Sequence, residues 1–462
     1  MHTSTTSTVP LVSWTAAQLL EATQGYWLND QAPNTEIKRI LTDSRDAEAG
    51  DAFLALKGER FDAHAFITQV AEQGCQVAIV SQPIDAEVCQ LVVPDTRLAL
   101  GQLGAYRRAQ NPQLKVIALT GSSGKTTTKE MLGSILSRIA PTLVTRGNLN
   151  NDLGVPVMLL ELCPEHQYAV MELGASHQGE IDYTSNLVQP LVAGIINIGT
   201  AHLGEFGGRD GICRAKSEIY AHIAPNGTSI VPAADDFADS IRQAVQTEQV
   251  LSFGAGGEIF ATEIELQAQS ATFKLNTPQG VRQVNLPFAG EHNVQNATAA
   301  AAFALAIGIS LDDIVLGLEQ AVGAKGRLNF IQQGRHLLID DTYNANPTSM
   351  RAAAEVLAQQ EGVRVMVMGD IGELGSSAAQ QHYMLGRDLV SVKGLNFVVA
   401  VGEFAPAAQE GARSTQYGKK MQAFLTQEQA LPFLLSLIET HQPQSMSFLF
   451  KGSRYTHMET LM

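Results

Sequence analysis

The chain has 462 residues, enough for about three domains at roughly 150 residues each. Its 46 acidic residues against 31 basic ones give a net charge of −15, which argues against non-specific nucleic-acid binding and against docking on anionic membranes. Hydrophobic residues reach 45%, so sizeable cores are expected, and an anionic small substrate remains compatible with the charge because a local site can oppose the global sign.

In chain order, residues 1–14 (MHTSTTSTVPLVSW) carry no basic residue and no long apolar run, so no signal peptide is expected. Four cysteines, Cys75, Cys89, Cys163 and Cys213, form no CxxC motif and no disulfide framework, which points to the cytoplasm. The segment up to Pro94 mixes short strand-like and helical pieces, and helical patterning over residues 96–110 follows. Short apolar runs then recur at residues 116–119, 168–171, 193–196, 337–339, 363–368, 397–401 and 446–450, with helical stretches between them. That alternation predicts parallel sheets covered on both faces. Residues 294–311 (VQNATAAAAFALAIGISL) carry no charge but are rich in Ala, which inserts poorly into lipid, so a buried helix and no membrane span is expected. Residues 323–326 (GAKG) mark a joint, giving domains at 1–94, 95–325 and 326–462.

Polar strings follow the apolar runs: TGSSGKTT, ELG, NIGTAH, DDTYNAN and KGSR. Ligands bind at the carboxyl ends of strands in open α/β sheets, so these strings predict a site built by more than one sheet. Residues 120–127 read as a phosphate loop for ATP, with Gly121, Ser122, Ser123 and Gly124 turning backbone amides inward ahead of a helix expected near Lys129. Lys125 reaches the β- and γ-phosphates, Thr126 ligates Mg²⁺ and Thr127 continues the loop. Position 119 is Leu, so the motif is the shorter GxxGKT. Glu172, at a strand end, reads as a Mg²⁺ ligand or else as a helix cap. His202 reads as a ligand, a substrate contact or a structural histidine. Lys216, placed at a helix start, reads by itself as a surface lysine.

Taken together, TGSSGKTT, GNLNNDLGVP, ELGASHQGEI, AHLGEFG, AKSEIY, GEHNVQNA, GRLN, DDTYNANP and KGSR resemble, in order, the blocks of the Mur ligase family of ATP-dependent amide-bond formers. Residues 42–66 (TDSRDAEAGDAFLALKGERFDAHAF) are similar to the family's UDP-binding domain. KGERFDAH, DDTYNANP, MGDIGELG and KGSR are most similar to the branch that adds D-alanyl-D-alanine. The DNPR string of the diaminopimelate-adding branch is absent, and folylpolyglutamate synthases lack such a first domain. A nucleotide switch, the rival of a different class, would carry an NKxD string, and none is present.

The resemblance implies an α/β fold of three domains: a small mixed α/β UDP-binding domain, a central P-loop parallel-sheet ATPase domain and a C-terminal Rossmann-like domain. It implies ATP-driven activation of the carboxylate of UDP-N-acetylmuramoyl-tripeptide as an acyl phosphate, then attack by the amine of D-alanyl-D-alanine. Two Mg²⁺ sites are implied, held by Thr126, Glu172, His202 and a carbamate that CO₂ forms on Lys216. Asn293, Arg327 and Asp341 are implied as nucleotide contacts. Ser44, Arg45 and Lys57 are implied for the uridine nucleotide, Asn148, Asn150 and Asn151 for the muramyl peptide, and Asn344 and Asn346 for the incoming amine. The expected enzyme is a monomer whose domains close around residues 323–326 to exclude water.

Overall fold

Four sheets carry the chain in the computed structural model, which describes residues 12–58, 61–200 and 203–462. The first sheet is made of very short strands. Ile40–Leu41, Ala52–Leu54, Val77–Val80 and Cys89–Val92 run parallel, and Tyr26–Trp27 joins antiparallel on the far edge. Val77–Val80 is buried along its length, as a strand covered on both faces must be. The helix Thr96–Ala109 joins this sheet to the next domain. Its Arg107 guanidinium lies 3.9 Å above the Trp14 ring, and its Gly104 permits close approach to Pro156, where a Cβ would come within 3.0 Å of backbone.

The central sheet is wholly parallel, with strands in the spatial order Gln249–Phe253, Thr228–Pro232, Val192–Ile195, Lys115–Thr120, Tyr168–Glu172 and Thr142–Val144. From Lys115–Thr120 the chain first fills one side of the sheet and then the other. The topological switch point therefore lies at the carboxyl end of that strand, where a ligand crevice opens. The uncharged run folds as the helix Glu291–Ala306, followed by Leu311–Glu319. Ala297, Ala299 to Ala302 and Ala304 are fully buried along with Phe303, and the methyl-sized side chains let this helix press closely against the helix Lys125–Ser137. Among the described residues no helix is long and apolar enough to cross a membrane.

One sheet escapes the reading of apolar runs. Phe260–Leu266, Ala271–Thr277 and Gly280–Leu286 form an antiparallel meander after the parallel sheet. Ala271–Thr277 alternates, with Phe273 and Leu275 in the core; Gly280–Leu286 buries only Val284 and Leu286, and Phe260–Leu266 exposes Glu263, Ile264, Glu265 and Leu266 together, so no continuous apolar run marks them.

The last sheet starts after residues 323–326. Asn329–Gln333 pairs antiparallel with His336–Asp340, followed by parallel Met446–Lys451, Val363–Gly369, Phe397–Val401 and Met421–Phe424. The joint itself is built for a turn: Gly326 has φ +72° and Leu328 φ +51°.

The packing of the alanine helix yields a stability prediction. Ala300→Leu should destabilise the protein by about 1–3 kcal/mol through overpacking, lowering its Tm in a thermal melt. An unchanged or raised Tm would show that the helix is not packed as described.

Candidate active site

The strand Lys115–Thr120 delivers the phosphate loop, and the following helix begins at Lys125 rather than near Lys129 as the sequence predicts. The reason is Gly124: its φ of +79° turns the chain so that the N–H of Thr128 already bonds the Gly124 carbonyl at 2.9 Å. A Cβ on Gly124 would sit 2.2 Å from Asn296 Oδ1, so glycine is required both for φ and for space. Lys125 Nζ donates to the Gly121 carbonyl at 2.9 Å, closing the loop on itself.

Asn197, at the end of the neighbouring strand, braces the loop. Its Nδ2 donates to the Ser123 carbonyl at 2.9 Å, its Oδ1 accepts the Ser123 N–H at 3.0 Å, and its own carbonyl accepts the Ser122 N–H at 3.1 Å. Three buried polar atoms around this cradle, Ser122 Oγ, Thr200 Oγ1 and Arg327 Nε, have no hydrogen-bond partner among the described residues. Ser122, Thr200 and Arg327 line a 100 Å³ cavity together with Lys125 and Thr126. Unpaired donors beside a lysine and a helix N-terminus are what a phosphate needs.

Glu172 ends the strand Tyr168–Glu172 and is 1% exposed. It does not cap a helix. Its Oε2 accepts from Thr126 Oγ1 at 3.1 Å, its Oε1 from Asn150 Nδ2 at 2.8 Å, and its N–H donates to Thr145 Oγ1 at 3.0 Å. A carboxylate beside a loop threonine fits Mg²⁺, which takes one or two carboxylates and completes its shell with phosphate oxygens and water. His202 lies outside the described residues. Among the described residues, no three His, Cys, Asp or Glu side chains gather as a metal cluster.

Lys216 is 2% exposed, so it is no surface lysine, and it lies in the last turn of the helix Arg209–Ser217 rather than at a helix start. Gly208, with φ +119°, starts that helix earlier than the string CRAKSEIY suggests. Burial, together with the Lys125 charge and against the opposing charge of Glu172, lowers the Lys216 pKa to about 7.

The C-terminal sheet reaches the same place. Arg327 Nη2 donates to Thr126 Oγ1 at 3.3 Å while its guanidinium stacks 4.3 Å above Tyr343. Asn346 Nδ2 donates to Ser123 Oγ at 2.9 Å, and its Oδ1 caps the helix Pro347–Ala358. Asn344 lines the 100 Å³ cavity, and its carbonyl accepts from Lys451 Nζ at 2.9 Å. Lys451 also pairs with Asp341 at 2.7 Å; burial lowers its pKa and Asp341 opposes the shift. A larger cavity of 570 Å³, the size of a nucleotide site, is lined by Ser123, Gly124, Thr127, Asn293, Arg327 and Asp341. Asn293 is fixed there by Asn296, whose Nδ2 donates to Asn293 Oδ1 at 3.0 Å. His292 lines the same cavity, its pKa pushed down to about 4 by burial, so it is neutral at pH 7.

The expected nucleotide residues, and Asn344 and Asn346 expected for the amine, thus gather around two adjoining cavities, whereas the residues expected for the uridine nucleotide and the muramyl peptide scatter. Asn150 holds Glu172, but Asn151 Oδ1 accepts the Gly154 N–H at 2.8 Å and serves as a cap, and Asn148 contributes its carbonyl to the Asn150 N–H at 2.8 Å. Ser44, Arg45 and Lys57 stay on the first domain. Arg45 is turned onto Asp43 at 2.5 Å, and Lys57 lies 3.7 Å from Asp62. The 330 Å³ cavity between the first two domains is lined instead by Arg39, Thr42, Asp43, Asp46, Arg146 and Glu161, among others. Asn197, Thr145, His292 and Lys451 belong to the site although no single-residue signal marks them. Asn197 and Lys451 sit in the strand-end strings NIGTAH and KGSR, which are the signal that finds them.

The bracing of the loop is testable. Asn197→Ala removes two hydrogen bonds to Ser123, so nucleotide affinity measured by calorimetry should fall about tenfold, the equivalent of roughly 1.4 kcal/mol. Unchanged affinity would remove Asn197 from the site.

Family models match three stretches: Mur ligase family, catalytic domain, at residues 36–116; Mur ligase middle domain at 119–304; and Mur ligase, glutamate ligase domain, at 326–454. The chain is 41% identical over 456 residues to the UDP-N-acetylmuramoyl-tripeptide–D-alanyl-D-alanine ligase of Escherichia coli, covering 98% of both chains, and 40% identical to that of Haemophilus influenzae. Among solved structures it is similar to MurF from Acinetobacter baumannii, with TM-score 0.95, 75% identity and coverage of 98% and 99% of the two chains. It is also similar to MurF from Thermotoga maritima in complex with ADP, with TM-score 0.79, 25% identity and coverage of 92% and 96%. With the whole length matched and the site drawn from two of the matched domains, this chain belongs to the Mur ligase family.

Proposed function

We propose that the protein is an ATP-dependent ligase that joins D-alanyl-D-alanine to UDP-N-acetylmuramoyl-tripeptide, yielding UDP-N-acetylmuramoyl-pentapeptide, ADP and phosphate for peptidoglycan synthesis. The carrying observation is the convergence of the phosphate loop, buried Glu172 and the Arg327 and Asn346 side chains of the second sheet on one cavity. Full-length similarity to ligases named for this reaction supports the choice of substrates.

The difficulty of the first step is electrostatic, because a substrate carboxylate must approach the terminal phosphate of ATP. Lys125 and Arg327 offset that repulsion, and the Ser122 and Thr200 hydroxyls supply hydrogen bonds to phosphate oxygens. Bound Mg²⁺, for which Thr126 and Glu172 are the fitting residues, supplies further charge neutralisation. His202 completes that set in this reading. The amine nitrogen then attacks the acyl carbon. The C–N bond forms, the bond from carbon to the phosphate oxygen breaks, phosphate leaves with the electron pair, and the ammonium proton is lost to solvent or a nearby base. Asn344 and Asn346 border the cavity on the side of the second sheet and are the orienting groups for the amine. Asn293, Asp341 and Arg327 hold the nucleotide, and the first domain binds the uridine end. Closure of both sheets over the loop keeps water from the acyl phosphate.

Lys216 carries a carbamate in this reading. A buried amine with a pKa of about 7 is substantially neutral at physiological pH, and only the neutral amine attacks CO₂. Addition of the neutral amine to CO₂ releases one proton and leaves an anionic carbamate, which suits a second Mg²⁺. The enzyme acts as a monomer, since the nucleotide and phosphate cavities are built within one chain, and in the cytoplasm, where four free cysteines stay reduced.

Purified protein should release ADP only when UDP-N-acetylmuramoyl-tripeptide and D-alanyl-D-alanine are both present. Release with the dipeptide precursor and a diamino acid instead would reassign it. Lys216→Ala should lose about 10²-fold or more in turnover and regain part of it with short-chain carboxylates; near-normal activity without additive contradicts the carbamate. At fixed, limiting dissolved CO₂, activity should rise between about pH 6 and pH 8 as the Lys216 amine is deprotonated. A flat profile there would speak against a carbamate on this amine.

A further inference from the structure

Asp340 ends the strand His336–Asp340, and the ladder runs one residue further, through the Asp341 N–H that donates to the Phe450 carbonyl at 3.0 Å. Successive side chains of extended backbone alternate in direction, so the two carboxylates serve different cavities. Asp341 pairs with Lys451 on the wall of the 570 Å³ cavity, whereas Asp340 lines another cavity of 520 Å³. Arg327 borders both, and Thr126 joins the 520 Å³ cavity to the phosphate cavity. Gly147, next to the asparagines expected for the muramyl peptide, lines it as well, so both sheets' domains contribute to its wall.

Asp340 is 8% exposed, and a carboxylate that deeply enclosed calls for a cation. The nearby cations are committed elsewhere: Lys451 to Asp341 at 2.7 Å, Lys129 to Glu130 at 2.7 Å and Arg454 to Glu459 at 2.8 Å. Among the described residues no cation pairs with Asp340. Its Oδ1 accepts from the Thr342 N–H at 3.2 Å and from Thr342 Oγ1 at 2.7 Å, while its Oδ2 has no hydrogen-bond partner among the described residues. That oxygen retains accessible surface on a residue otherwise enclosed, and the cavity lies beside it. ATP and the substrate carboxylate gain nothing from such a group, which repels both. The nucleophile is different, because an α-amine has a pKa near 8 and arrives at neutral pH mainly as an ammonium ion. The dipeptide is a zwitterion, and the same cavity also carries the cations Lys325 and Arg454 for its carboxylate end.

We propose that Asp340 binds the ammonium group of the incoming D-alanyl-D-alanine in the 520 Å³ cavity. The inference rests on the ligase reading above and deepens it by assigning the pocket and the charged contact of the second substrate. Asn344 and Asn346 border the adjoining phosphate cavity, so amine and acyl phosphate meet where the two cavities join, at Thr126 and Arg327.

The test is steady-state kinetics on the full chain with D340N, which removes the charge but keeps an oxygen to accept from Thr342. KM for D-alanyl-D-alanine should rise about tenfold or more, while KM for ATP and for UDP-N-acetylmuramoyl-tripeptide stays within about twofold. Propionyl-D-alanine, the dipeptide without its amine, gives a second measurement. As an inhibitor competing with the dipeptide, it should bind the unsubstituted enzyme about tenfold more weakly than the dipeptide does, and D340N should bind the two about equally. The first half of that comparison uses the unsubstituted enzyme alone, so it stands even where D340N fails to fold. An unchanged KM for D-alanyl-D-alanine in D340N overturns the inference, and so does equal binding of dipeptide and propionyl-D-alanine by the unsubstituted enzyme. A raised KM for ATP or for the tripeptide in D340N gives the cavity to another ligand and overturns it as well. Failure of the unsubstituted enzyme to release ADP with D-alanyl-D-alanine sinks the ligase reading itself, whereas a normal unsubstituted enzyme with an indifferent D340N sinks only the role of Asp340.

Discussion

The site depends on one desolvated cation. Lys125 sits where a parallel strand ends and a helix begins, and burial there lowers its pKa. Arg327 lowers it further, while Glu172 and Glu373 work the other way. Loop, the buried Glu172 carboxylate and the second-sheet arginine are therefore parts of one electrostatic balance. A phosphate entering the cradle restores what desolvation took from Lys125, which makes anion binding favourable in a chain whose overall charge is −15. That net charge describes the outer surface. Inside the cavity a few placed cations and backbone amides decide what binds.

The second constraint is that two sheets must present their carboxyl ends to each other. The central sheet alone offers the loop, Glu172 and Asn197, and the C-terminal sheet offers Arg327, Asp341, Asn346 and Lys451. The turn at Gly326 and Leu328 is what aims Arg327 back at Thr126. The buried Asp341–Lys451 pair costs desolvation on both partners, so it contributes little net stability, and both residues lie on the wall of the 570 Å³ cavity.

Much of this was legible in the sequence because it is local. Glycine spacing marks the phosphate loop, and continuous apolar runs mark the buried parallel strands, from Lys115–Thr120 to Met446–Lys451. What was not legible depends on contacts between distant segments. Asn197 braces a loop over seventy residues earlier, and Asn346 reaches Ser123 from another domain. The antiparallel meander hid because its two outer strands are largely exposed and its middle strand mixes buried apolar with half-buried polar residues. Lys216 was misplaced within its helix because the local string carries no sign of Gly208's turn, and its burial depends on what packs around it. Asn151 and Arg45 belong to expected binding motifs, yet in the structure each side chain is engaged locally, by Gly154 and by Asp43.

The proposed phosphoryl transfer needs the Arg327 cation, brought from the second sheet to the phosphate loop. The most direct measurement compares nucleotide binding and turnover in Arg327→Ala. Because the loop and Lys125 remain, ADP affinity should fall less than about tenfold, while turnover with both substrates should fall about 10²–10³-fold, as when one preorganised charge-stabilising donor is removed. Turnover close to that of the unsubstituted enzyme in a folded Arg327→Ala protein would contradict a site shared between the two sheets.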